Sequence, residues 1–166
     1  MSDVHTPLQR SFNMSRIRGA DTKPELVLRR GLHAHGLRYR LHVRELPGTP
    51  DIVFASHKVA VFVHGCFWHG HECDMFRWPA TRADFWRAKI GSNRQRDEHA
   101  LKALRSAGWR TLVVWECALR GSRKLPAERV VEACVAFAHG TTKSKTIVGR
   151  HKRAAAVAPG RDKRGR

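Results

Sequence analysis

Residues 59–73 constrain this chain more than any other stretch. Val59-Ala-Val-Phe-Val63 is an apolar run of strand type, sized for one central strand. It stops at His64. The next nine residues hold Cys66, Phe67, Trp68, His69, His71 and Cys73. Such a concentration of potential ligands and large rings does not suit a plain apolar core. The strand must therefore end in a loop with chemical work, and the rest of the fold has to be arranged around that exit.

The flanking sequence supplies a sheet and helices. Asp21-Thr22-Lys-Pro24-Glu25 reads as a helix start: Asp21 or Thr22 caps, Pro24 suits the first turn, and Glu25 complements the positive helix end. Leu28 and Leu32 mark its buried face, and Gly36 stops it. Residues 37–43 alternate like an edge strand. Pro47-Gly48-Thr49-Pro50 is a turn, and Asp51 opens the strand 52–54. After the loop, Thr81 and Asp84 form a variant capping box for a helix carrying Phe85, Trp86 and Ile90. Gly91 interrupts that pattern, so a second helical stretch is expected over 92–107. A strand follows over 109–115, finishing at Glu116-Cys117, then an amphipathic helix over 127–138. Helix, three strands, helix, strand and helix make a single α/β domain, a sheet with helices on its faces. The expected organisation is a polar, basic arm over 1–20, the folded domain over 21–139, and a disordered tail over 140–166.

Charge narrows the partners. The formal net charge is +18. Residues 140–166 hold nine Lys/Arg against Asp162 alone, so +10 remains on residues 1–139. A basic body of this kind points to a polyanion, most often nucleic acid, although a generic high-pI surface would give the same count. No stretch reaches the ~18 apolar residues of a membrane span, and the N-terminus lacks the apolar core of a signal peptide. Four Cys, three of them near His or polar neighbours, suit a reducing compartment and a metal better than a disulfide framework. A cytoplasmic protein is expected.

Cys66, His71 and Cys73 with the distant Cys117 form a Cys₃His set. Four such ligands with no open position describe a structural zinc that ties the loop to the end of the 109–115 strand. The competing reading is a set of unrelated thiols and a surface His. His64 and His69 stay outside the set, and Cys134 belongs to the buried face of the last helix. Asp51 is a hard oxygen donor of the kind Mg²⁺ prefers. Alone it reads as a turn residue; beside His64 and His69 it gains weight as part of a hydrolytic site.

Longer motifs join these residues: Leu46-Pro-Gly-Thr-Pro-Asp51, Val63-His-Gly-Cys-Phe-Trp68-His69, Pro79-Ala-Thr-Arg82, Phe85-Trp86, Lys89-Ile-Gly, Asn93 and Val114-Trp-Glu-Cys-Ala-Leu-Arg-Gly121. Over about residues 8–125 the chain resembles the very short patch repair (Vsr) endonucleases, a branch of the PD-(D/E)xK nuclease superfamily. The resemblance implies a restriction-endonuclease-like domain with a central mixed sheet. It implies Mg²⁺-dependent nicking of double-stranded DNA on the 5′ side of the T in T:G mismatches, which arise when 5-methylcytosine deaminates. The partners it implies are mismatched DNA and, functionally, a cytosine-5 methyltransferase. It implies a monomer in the bacterial cytoplasm, associated with the nucleoid.

The same resemblance assigns roles. Asp51 binds the catalytic Mg²⁺ together with the main-chain carbonyl of Val63, and Glu25 reaches the cation through water. His69 activates water, oriented by Asp97, while His64 assists at the phosphate. The superfamily's usual second acid and Lys would fall at Phe62 and His64, a departure the Vsr branch shares. Cys66, His71, Cys73 and Cys117 hold zinc, agreeing with the spacing. Phe67, Trp68 and Trp86 form a wedge beside the mismatch, where each ring stacking on a base is worth roughly 1–3 kcal/mol. Core packing is the competing reading for Trp86. Met14 lies in the minor groove, and Lys89 and Asn93 read bases through polar contacts. Two other readings compete: a restriction-type nuclease cutting unmodified duplex, and a zinc-braced DNA-binding module without catalysis.

Overall fold

The computed structural model describes residues 19–150, together with Thr6, Leu8 and Gln9. Met14 and most of the expected N-terminal arm lie outside the described residues, as do residues 151–166.

Helix α1, Lys23–Ala34, begins as its sequence dictates. Thr22 is the N-cap and forms a capping box with Glu25, and Pro24 sits in the first turn. Gly36 closes the far end at φ 79°. Five strands follow in one sheet: β1, Arg40–Leu41; β2, Ile52–Phe54; β3, Val59–His64; β4, Arg110–Trp115; and β5, Ser144–Ile147. They lie in the order β1-β2-β3-β4-β5. The β1–β2 and β2–β3 pairs are antiparallel, and the β3–β4 and β4–β5 pairs are parallel. The mixed sheet flanked by helices agrees with the α/β expectation.

Alternation along β3 explains the layers. Val59 and Val61 join Leu28, Leu32, Leu112, Val130 and Phe137 in the main core, under α1 and helix α4, Ala127–His139. Ala60 and Phe62 point the other way, onto Leu104 of helix α2, Ala83–Ser106. Gly31 allows α1 and α4 to approach closely, since a Cβ there would run into the Val131 side chain. β4 runs directly into a single helical turn, α3, Glu116–Leu119.

Four expectations are corrected. Residues 92–107 are not a separate helix: α2 is one helix of 24 residues through Gly91, where a Cβ would meet only open space. A glycine in a helix costs about 1 kcal/mol, which a long helix absorbs. That helix starts at Ala83 rather than Thr81; its N-cap, Arg82, has φ 54° and no side-chain cap. The edge strand shrinks to Arg40–Leu41 because His42 turns out of register at φ 47°. Finally, the expected disordered tail from residue 140 contains β5, which pairs with Thr111 to Val114.

Candidate active site

The site is built where β2 begins and β3 ends. Asp51 precedes β2, and its Oδ2 accepts the Val63 N–H at 2.7 Å. Burial pushes the Asp51 carboxyl up to about 6; the Val63 hydrogen bond opposes the shift and the Glu25 carboxylate adds to it. A carboxylate in this state carries charge that its surroundings compensate poorly, which suits a cation site.

Glu25 is 2% exposed and closely held. Oε1 accepts the Thr22 hydroxyl at 2.9 Å, and Oε2 accepts the Asp21 N–H at 3.1 Å and Arg29 Nη2 at 3.0 Å. The residue that completes the capping box of α1 is thus the same one expected to reach a cation through water. Two of its neighbours were missed in the sequence. Arg29 is buried and also bonds Asp21 Oδ1 at 2.5 Å. His42 lies between the carboxylates, with Nε2 4.0 Å from Glu25 and Nδ1 3.8 Å from Asp51. Neither carried a local sequence signal; only the fold brings them here.

His64, at the end of β3, stacks on His69 with ring centroids 4.0 Å apart and planes 3° apart. Burial, then the neighbouring His69, holds the His64 imidazole down at about 4, so it is uncharged at neutral pH. His69 Nδ1 makes a short hydrogen bond to Asp97 Oδ2 on α2. With the carboxylate accepting, Nδ1 is the donor, and in the neutral ring the lone pair then lies on Nε2. These three residues share a cavity of about 540 Å³ with Trp68, Lys89 and Asn93. The structure therefore brings His64, His69 and Asp97 together, and separately Asp51, Val63 and Glu25.

The loop that sets His69 is braced from α2. Asn93 Nδ2 donates to the Trp68 carbonyl at 2.8 Å, and its Oδ1 accepts from Arg96. Arg94 bonds the His69 carbonyl at 3.1 Å and also the Gly70 carbonyl. The Asn93 amide is thus engaged at both ends within the protein, and the structure uses it to hold the loop. Glu116 does the same from α3, accepting the Cys66 N–H at 3.2 Å.

On the other flank, Cys66, His71, Cys73 and Cys117 place one donor atom each within 4.8 Å of one another. Tetrahedral ligation by sulfur at ~2.3 Å sets donors ~3.8 Å apart, so this grouping fits a four-coordinate ion such as zinc. Burial pushes the Cys66 and Cys117 thiols up, a cost that a dication would offset. Gly149, just after β5, donates its N–H to Cys117 Sγ at 3.4 Å. Trp115 separates the two flanks: it stacks on His71 at 4.2 Å and meets His64 edge-on at 5.3 Å.

The expected wedge is a connected set. Phe67 meets Trp68 at 5.3 Å and Trp86 at 5.1 Å, and Trp68 lies 6.0 Å from Trp86. Phe76 and the half-exposed Trp78 extend the set through Phe67, and the half-exposed Phe85 adjoins Trp86.

The comparisons with known proteins place the chain in a family. A family model described as DNA mismatch endonuclease Vsr matches residues 2–75. The DNA mismatch endonuclease Vsr of Escherichia coli K12 is 47% identical over 132 residues, covering 80% of this chain and 85% of that protein. The chain belongs to the Vsr endonuclease family. The type II nicking enzyme V.XorIIP of Xanthomonas oryzae pv. oryzae is 49% identical over 119 residues, 72% of this chain and 88% of that protein. The type II nicking enzyme V.NmeAIP of Neisseria meningitidis is 42% identical over 120 residues, 72% and 86% respectively. This Vsr-family chain is therefore a DNA endonuclease, a hydrolase that nicks DNA, and the family implies a divalent metal. Among the described residues, no helix is long and apolar enough to cross a membrane.

Proposed function

We propose that this endonuclease nicks duplex DNA on the 5′ side of the T in T:G mismatches, by Mg²⁺-dependent hydrolysis. The observation that carries the reading is the His64–His69–Asp97 array at the end of the strand whose Val63 N–H holds Asp51, in a chain 47% identical to a mismatch endonuclease. Asp51, through the oxygen not held by Val63, and the Val63 carbonyl would hold Mg²⁺, with Glu25 acting through water. That cation, when bound, would offset the negative charge developing on the phosphate. His69 takes a proton from water at Nε2, and Asp97 fixes the ring that does so. His64, being neutral, contributes to the phosphate as an N–H donor rather than as a cation. Glu25 keeps α1 in register with the site.

The Cys₃His group would hold zinc as a brace without chemistry, keeping the 66–73 loop against α3. Phe67, Trp68 and Trp86 would enter the stack at the mismatch, where a T:G wobble is cheaper to open than a matched pair. Lys89 would contact bases directly and Asn93 through the loop it holds, with Met14 in the minor groove. Substrates of this kind arise beside a cytosine-5 methyltransferase, so the enzyme would act on bacterial chromosomal DNA in the cytoplasm, as a monomer.

Paired T:G and T:A duplexes of otherwise identical sequence, incubated with Mg²⁺, test the reading. A single nick on the T strand of the mismatched duplex alone is expected. Equal cleavage of both strands of the matched duplex would instead make this a restriction-type enzyme. Binding without cleavage would make it a DNA-binding module.

A further inference from the structure

His42 has no assigned role, yet it occupies the space between the carboxylates of the site. Its backbone is strained: φ is 47°, in a region that non-glycine residues enter rarely. The strained turn is pinned by the His42 N–H, which donates to the Asp51 carbonyl at 3.2 Å. It delivers the ring to a specific place. Nε2 lies 2.7 Å from Arg29 Nη2. A guanidinium has no acceptor, so Nε2 must accept, and the ring proton sits on Nδ1. Nδ1 faces Asp51 Oδ1 at 3.8 Å, longer than a hydrogen bond, on the carboxylate oxygen that Val63 leaves open. Arg29 Nη2 bonds Glu25 Oε2 at the same time. Hydrogen bonds therefore run from Glu25 through Arg29 to the His42 ring, and from the His42 backbone N–H to the Asp51 carbonyl, joining α1 to the start of β2.

We propose that His42 is a positioning residue of the endonuclease site: held by Arg29, its ring aims the open oxygen of Asp51 and fixes its distance from Glu25. This rests on the reading of Asp51 as the cation-binding carboxylate. The ring presents a donor to that oxygen without closing on it, so the carboxylate is oriented but stays open. Arg29 is the fixed post. It is buried, its Nη atoms are engaged with Asp21, Glu25 and His42, and among the described residues its Nε has no hydrogen-bond partner.

The test uses the full chain and three substitutions, His42→Ala, His42→Asn and His42→Gly. Mn²⁺ binding is measured by calorimetry without DNA, with Asp51→Ala defining the heat that belongs to the Asp51 site. Nicking of a T:G duplex is measured against Mg²⁺ concentration. Loss of an outer partner of a metal ligand typically costs 10–100-fold, so His42→Ala is expected to weaken Mn²⁺ binding at the Asp51 site at least about tenfold. The Mg²⁺ concentration for half-maximal nicking should rise in parallel, with metal-free affinity for DNA unchanged. His42→Asn tolerates the backbone and restores a donor toward Asp51, so it should recover most of the loss. His42→Gly removes the strain and the ring together; it should melt no lower than the native chain yet bind Mn²⁺ as poorly as His42→Ala. Native-like Mn²⁺ affinity in His42→Ala or His42→Gly overturns the proposal, as does an Asn variant no better than Ala. If native protein binds Mn²⁺ through Asp51 but nicks no T:G duplex, the functional reading fails while the role of His42 stands.

Discussion

Two ligand clusters flank the end of β3, and they are built in opposite ways. The Cys66–His71–Cys73–Cys117 group is closed: four donors converge, two of them buried, and Gly149 covers the fourth. The Asp51–Glu25 group is open. Each carboxylate is steered by neighbours, yet among the described residues Asp51 Oδ1, the oxygen facing His42, accepts no hydrogen bond. The closed group draws its ligands from a loop that lies outside the two apolar core clusters, apart from its own aromatic set, and from α3. The open group draws them from the starts of α1 and β2, where the sheet and main core already fix the backbone. A loop outside the main core gains its anchorage from an ion. A site inside a core can leave a ligand unsatisfied, because its shape does not depend on that ligand being filled.

This contrast has measurable edges. The largest effect is expected at Cys117→Ala, which should lose the bound zinc and destabilise the chain by roughly 5 kcal/mol or more, read by metal analysis and thermal melting. A stable, zinc-loaded variant would remove the distinction between the clusters. Asp51→Ala should do the reverse: nicking falls on the order of 10³-fold, while the melting temperature holds or rises because a poorly compensated carboxylate is gone. Asp97→Asn should lower the nicking rate about 10²-fold with little change in metal content, as His69 loses its preferred orientation.

The pH dependence sharpens the open site further. The folded Asp51 binds its proton more tightly than the unfolded chain, so its ionisation costs stability as pH rises from about 4 to about 6. His64 acts with the opposite sign. Its folded value near 4 lies below the ordinary one of 6.5, so stability rises with pH across that window. Asp51→Asn should therefore steepen the rise in stability between pH 4 and 6, by up to about 2 kcal/mol in denaturant titrations. Nicking at low Mg²⁺ should climb with pH through about 6, and more Mg²⁺ should shift that midpoint downward. A midpoint insensitive to Mg²⁺ would detach Asp51 from the cation. The smallest effect is expected at Gly149→Ala. A Cβ there meets the Cys117 and Arg123 carbonyls, so about 1–2 kcal/mol should be lost, with faster zinc loss to a chelator.

How much of this was legible depended on range. Glu25, Thr22 and Pro24 announce α1 within four residues, and Val59 to Val63 announce β3 by composition alone. The closed cluster was legible because three of its ligands fall within eight residues and cysteine is chemically conspicuous. Gly91 misled because a glycine in a half-exposed helix position looks like a stop when the tertiary frame is unseen. β5 was hidden by its own exposure: Ser144, Lys145 and Thr146 face solvent and only Ile147 is buried. The bracing of the loop by Asn93, Arg94 and Glu116, and the link through Arg29 and His42, arise from contacts 13 to 50 residues apart, and His42 alone of these shows a backbone no sequence pattern encodes.

β5 gives the molecule an order of assembly. The three loop ligands are made within eight residues, the fourth 44 residues later, and the amide that covers it 32 residues after that. Closing such long loops is entropically slow to be repaid. A chain that has emerged only as far as residue 140 carries every donor of the closed cluster but lacks the strand beside β4. The brace can therefore be completed only once β5 has joined the sheet, and a fragment cut at residue 140 would hold its ion behind an open edge.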